Sequence, residues 1–313
     1  MPHFADRLAT ACRTKGNSLC VGLDPRWDLL PLDLRQRHDD GKLNGVAHAC
    51  EEFCLRVLDL VAPLVPVVKP QSAFFEACGP AGMSALQRIL AKARQLQLIT
   101  ILDGKRNDIA ATATAYAEAA LSAVKVNDKL LSVWGADSLT VNPYLGRDAV
   151  EPFITCARRS QGGLFVLVRT SNPGAGLFQD LRCESSGSTK PLYQLVGEAV
   201  AVWSDENLAE CGFGDVGAVV GATHPDELAQ LRQMLPRVVF LVPGYGAQGG
   251  SAADTAAAFR ADGLGAIVNS SRGIIASFAP QETDWPDAVV NATKAAITDL
   301  ASATPMGQLA KFV

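Results

Sequence analysis

Eight short apolar runs recur along this chain of 313 residues, each ending near Gly, Asp, Asn or Pro and each followed by a segment with helical spacing. In order they are "SLCVGLDP" from Ser18, "VPVVKPQ" from Val65, "ITILDGKR" from Ile99, "DSLTVNP" from Asp137, "GLFVLVRTS" from Gly163, "VGAVVGA" from Val216, "RVVFLVPG" from Arg237 and "GAIVNSSRG" from Gly265. Helices are expected over 50–61, 80–97, 147–159, 192–208, 225–235 and 285–301, with an alanine-rich helix directly after Asp108. Phe4, Leu8 and Cys12 are spaced as one face of an N-terminal helix. Strict alternation of strand and helix implies a parallel sheet, and near-continuous apolar strands imply burial on both faces. Eight such units in this length predict a (β/α)8 TIM barrel, an α/β fold. The competing arrangement is a doubly wound open sheet.

With 48% hydrophobic and 19% charged residues the chain can bury a full-sized core, and one domain over 1–313 is expected. Its extended loops fall near 28–44 and 179–190, after the first and fifth strands. They therefore share the rim at the strands' C-terminal ends, where barrels carry function. A net charge of -4 excludes a general nucleic-acid binder. The longest apolar candidate, "LDLVAPLVPVV", is broken by Pro63 and Pro66 and falls short of the roughly 18 residues that span a bilayer. The N-terminus has no signal-peptide core, so a soluble cytoplasmic protein without membrane partners is expected. Eight scattered cysteines form no CxxC pair, which points to reduced, buried thiols. His48, Cys50 and Cys54 are near one another but lack the four-ligand spacing of a closed zinc site.

Gly244, Gly246 and Gly249 satisfy GxGxxG after the seventh strand. A dinucleotide site needs an acidic residue at the end of the next strand to hold a ribose hydroxyl. That strand ends in Asn269, Ser270, Ser271 and Arg272, so the requirement fails. The same glycines can present backbone N–H groups to an anion, and the next loop adds Arg272 and Gly273 ahead of a helix. Barrels bind phosphate at the loops after strands seven and eight, and a phosphate site is the preferred reading over two tight turns beside a surface arginine.

Charge gathers at the ends of three other strands: Asp24 closes the first, Lys69 the second, and Asp103 and Lys105 the third. Side chains two apart on a strand share a side, so Asp103 and Lys105 are expected to face one way at the barrel mouth. Rim solvation or structural pairing accounts for any one such charge. The set of alternating signs points instead to electrostatic preorganisation, because buried ion pairs seldom stabilise a fold relative to apolar residues.

These residues carry a resemblance. "DGKRNDIAATA" resembles the Asp-x-Lys-x-x-Asp signature of the orotidine 5'-phosphate decarboxylase family, and its "GKR" resembles the longer-chain (type 2) subgroup. "GLDP", "VVKPQSAFFE", "VNPYLG", "VRTSNPGA", "VPGYGAQGG" and "VNSSRG" are similar to that family's segments and follow in its order, over nearly the whole chain. The resemblance implies a carboxy-lyase of pyrimidine biosynthesis that acts on a nucleotide without metal or organic cofactor. It implies a network of Lys69, Asp103, Lys105 and Asp108, with Lys105 protonating the C6 carbanion and Asp103 against the departing carboxylate. Asp24 and Lys69 are then expected to hold ribose hydroxyls, Ser171 the pyrimidine edge, and Gln248, Arg272 and Gly273 the phosphate. Asp108 and Thr112 are expected to enter the neighbouring subunit's site in a homodimer. Asn107 stands where the longer subgroup commonly has glycine, which implies altered loop packing and unchanged chemistry. Related barrels that decarboxylate sugar phosphates on Mg2+ share the signature, and a barrel that only binds a nucleotide is the remaining alternative.

Overall fold

A computed structural model describes residues 2–185, 187–247 and 249–312. All eight runs form strands: β1 Leu19–Leu23, β2 Val67–Pro70, β3 Ile99–Arg106, β4 Ser138–Val141, β5 Gly163–Arg169, β6 Val216–Val220, β7 Phe240–Val242 and β8 Ala266–Ser270. Each pairs in parallel with its neighbours in sequence. β1 also pairs with β8, at Leu19 with Val268, which closes the barrel and excludes the open sheet. Six of the eight strands are buried from end to end, as a sheet covered by helices requires.

The principal helices are α1 Phe4–Lys15, α2 Leu43–Val61, α3 Gly79–Gln95, α4 Ala110–Leu121, α5 Arg147–Ser160, α6 Leu192–Asp205, α7 Pro225–Met234 and α8 Trp285–Ala303. α2 begins two turns before the expected Cys50, because the polar stretch ahead of it is folded: Leu32–His38 is itself a helix. Gly45 lets the two helices touch, since a Cβ there would stand 2.0 Å from the His38 carbonyl oxygen. After β7 the connection is a 3-10 helix, Ala253–Ala258, where an α-helix completes the other units. Two hairpins lie outside the barrel, Ala123–Val126 with Lys129–Ser132 and Arg182–Ser185 with Ser188–Pro191.

α1 closes the N-terminal end of the barrel. Phe4 meets Phe165 of β5 edge to face at 6.3 Å, Arg7 pairs with Asp137 at 2.5 Å, and the Asp6 carboxylate accepts the backbone N–H groups of Glu210 and Cys211. The opposite end stays open to ligand. Among the described residues no helix is long and apolar enough to cross a membrane. All eight cysteines are free thiols, six of them buried.

Candidate active site

The third strand breaks its register where the charges lie. Leu102 pairs with Leu139 and Arg106 with Val141, so four steps along β3 face two along β4. The surplus residues form a bulge, a device that re-aims side chains. Lys105 sits in it with φ at +45°, in the left-handed region, a conformation that costs a side-chain-bearing residue on the order of 1–2 kcal/mol. Asp103 and Lys105 therefore converge through this bulge, and simple strand alternation does not account for it.

Asp103 is the hub. Its Oδ2 accepts Lys69 Nζ at 2.6 Å and Gln71 Nε2 at 3.0 Å, and its Oδ1 accepts Lys105 Nζ at 2.7 Å and the Thr140 hydroxyl at 2.8 Å. Burial alone would push its carboxyl up; Lys69 and then Lys105 overcome that and hold it well below the usual carboxylate range. Burial would likewise lower Lys69, but Asp103 and Asp24 keep its ammonium above the ordinary lysine value. The pair is thus ionised on both sides. The Lys69 side chain is only 6% exposed, whereas that of Lys105 is 46% exposed, so of the two ammonium groups on Asp103 that of Lys105 is the more open to a ligand.

These groups form one side of a cavity of about 490 Å³. Leu167, Val219 and Leu241, near the ends of β5, β6 and β7, give it an apolar wall, and Ser171 and Gln179 line it beyond β5. The far edge is built by the loops after β7 and β8, through Gly244, Tyr245, Ala247, Ser271 and Arg272. Gly244, Gly246 and Gly249 all have positive φ, which a chain with side chains at these positions could not adopt cheaply. Backbone hydrogen bonds from Gly246 to Gly250, Gly249 to Gly246 and Gly250 to Gly244 close the loop on itself. Tyr245 donates to Asp299 of α8 at 2.7 Å and anchors it, and Arg272 Nη2 reaches the Ala247 carbonyl at 3.4 Å.

Asp24, Lys69, Asp103, Lys105, Ser171 and Arg272 all line this one cavity. Asp24 Oδ1 is buried with no protein partner, an acceptor waiting for a donor. Asp108 and Thr112 do not line it. Asp108 accepts the amide N–H of Ile109, and Thr112 is exposed on α4. Gly273 is exposed in the short helix Arg272–Ile275 beside the cavity, and Gln248 lies outside the described residues. Asn107, between the signature positions, has a buried Oδ1 without a partner. Sequence reasoning passed over Gln71, Thr140 and Gln179. The signal for Gln71 was its place two residues after Lys69; for Thr140 it was a hydroxyl inside the otherwise apolar "LTV".

Comparison with known proteins places this geometry. Residues 17–283 match the model of the orotidine 5'-phosphate decarboxylase / HUMPS family. An orotidine 5'-phosphate decarboxylase of Rhodopirellula baltica is 49% identical over 300 residues, covering 94% of this chain and 97% of its own. One from Caldicellulosiruptor bescii is 38% identical over 281 residues, covering 89% and 91%. The solved OMP decarboxylase of Leishmania donovani superposes with a TM-score of 0.73 at 32% identity, covering 96% of this chain and 98% of that one.

Proposed function

Because the chain belongs to the orotidine 5'-phosphate decarboxylase / HUMPS family, we propose that it converts orotidine 5'-phosphate to uridine 5'-phosphate in pyrimidine biosynthesis. The observation that carries this reading is the half-exposed Lys105 ammonium, 2.7 Å from a carboxylate that cannot readily take a proton.

Decarboxylation breaks the bond from C6 to its carboxylate, releases CO2 and leaves the electron pair in the plane of the ring. No carbonyl is aligned to delocalise that pair, so a nearby ammonium must stabilise localised charge. Lys105 does so, then gives its proton to C6 and regains one from water. Asp103, kept anionic by two lysines, sits against the substrate carboxylate, and their repulsion is relieved as CO2 departs. Asp24, with its unpartnered oxygen, and Lys69 take ribose hydroxyls. Ser171 reads the pyrimidine edge beside the apolar wall. Arg272 and Gly273 hold the phosphate together with Gln248. Enzymes lower such barriers by about 8–23 kcal/mol, more than one lysine supplies, and the phosphate grip contributes by holding the ring against Lys105.

The site is completed by a second copy of the chain. Asp108 and Thr112 lie off their own cavity, and the same stretch of chain exposes Ile109 and Tyr116, apolar side chains suited to an isologous dimer contact. Eight free thiols fit a reducing cytoplasm.

The test is to mix the protein with orotidine 5'-phosphate and follow the pyrimidine absorbance. Turnover is expected, undiminished by chelator, and Lys105→Ala is expected to abolish it while the fold persists. Wild-type-like turnover by that variant would sink the mechanism; no turnover of the nucleotide, with chelator-sensitive turnover of a sugar phosphate in its place, would favour the Mg2+-dependent chemistry.

A further inference from the structure

The bulge in β3 places the Lys105 amide between two stretches of register, and a side chain satisfies it. Lys105 N–H donates to Thr140 Oγ1 at 2.9 Å, and the same hydroxyl donates to Asp103 Oδ1 at 2.8 Å. Both directions are forced: an amide can only donate, an ionised carboxylate can only accept, and a hydroxyl has one proton and two lone pairs. Thr140 is buried, with 1% exposure, and is the neutral group joining the two charged residues at the reacting end of the cavity.

We infer that Thr140 is a positioning residue for decarboxylation: it holds the left-handed turn at Lys105 and aims the Asp103 carboxylate, and so sets where the Lys105 ammonium stands. The inference rests on Lys105 as the proton donor. Three contacts make a closed ring: Thr140 to the Lys105 backbone, Thr140 to Asp103 Oδ1, and Lys105 Nζ back to that same oxygen at 2.7 Å. Without the hydroxyl, the amide and the carboxylate oxygen each lose a buried partner, and the positive φ at Lys105 is held only from Arg106, through its pairing with Val141 and the Asn142 N–H on its carbonyl. The groups assigned to ribose and phosphate are not in this ring. The loss therefore falls on the chemical step, where a displacement of about 1 Å can cost roughly 100-fold.

The experiment compares Thr140→Val, which keeps the shape and removes the hydroxyl, with Thr140→Ser, which keeps the hydroxyl. Thr140→Val is expected to lower kcat roughly 10- to 100-fold while KM and the affinity for uridine 5'-phosphate change by less than about threefold; Thr140→Ser is expected to restore most of the rate. Should Thr140→Val not fold by circular dichroism, Thr140→Ala takes its place against Ser. Wild-type kcat in the variant lacking the hydroxyl overturns the inference, and so does an equal loss in both variants, which would mean that the position answers to any change of shape and not to the hydroxyl. Lys105→Ala run alongside separates the two readings: if it is inactive while Thr140→Val is not impaired, only the role of Thr140 fails, and if it retains turnover the mechanism itself fails.

Discussion

Asp103 divides four donors between two oxygens, Lys69 and Gln71 on one, Lys105 and Thr140 on the other. Removing one member of a buried ion pair strands its partner, at a cost of roughly 3–5 kcal/mol. Asp103→Asn is therefore expected to lower unfolding free energy by about that amount in urea titration, besides stopping catalysis. The dependence on pH has a definite sign. A carboxyl depressed by folding contributes stability that is present above its unfolded value of about 3.9 and drains away as pH falls toward its folded value. Wild type should thus lose stability more steeply than Asp103→Asn below about pH 5, and parallel curves would contradict the assigned charge state. The charged members of this cluster were legible in the sequence because charge at the end of an apolar strand is conspicuous. The neutral members were not, since glutamine and threonine are ordinary at strand ends. Nor was the turn at Lys105: the neighbouring Gly104 is the residue that chain statistics would choose for positive φ.

At the scale of the element, the segment after β5 is tied down by Arg169. Its guanidinium is buried, forks onto Glu227 of α7 at 2.5 and 3.1 Å and pairs with Asp180 at 2.8 Å. Gln179 adds bonds to the amide and hydroxyl of Thr170. Hydrogen bonds to charged groups contribute about 1.5–3 kcal/mol each, so Arg169→Ala is expected to speed trypsin cleavage after Arg182 roughly 10- to 100-fold. Mass spectrometry of the early fragments measures it, and an unchanged rate would mean that the hairpin is held elsewhere. The elements themselves were legible to the extent that their apolar period was long. The hairpin at 123–132 was overlooked because its strands are four residues each. Its signal was Asn127-Asp128 at the turn, where Asn127 has φ of +53°. The helix at Leu32–His38 was hidden by its charge, with one buried residue, Leu34, to mark its inner face.

For the whole molecule, the eightfold rhythm of strand and helix pointed to the barrel, and the pairing of β1 with β8 is what separates it from an open sheet of the same units. The proposed completion of the site by a second copy is also tested at this scale. If Asp108 acts in the partner's cavity, a mixture of Lys105→Ala and Asp108→Ala subunits, each inactive alone, should regain about a quarter of wild-type activity after subunit exchange. Half the dimers are then mixed, and each has one intact site. Activity that stays at the parental level would place Asp108 in its own subunit's chemistry. The bulge in β3 has a further consequence, one of parity. Its surplus is two residues, and the side-chain repeat of a strand is also two, so Arg106, the last residue of β3, pairs with Val141 in the same phase as Leu102 with Leu139. The barrel tolerates the reactive segment as an even-numbered insert, and an insert or deletion of one residue at the same place would turn Arg106 to the opposite face.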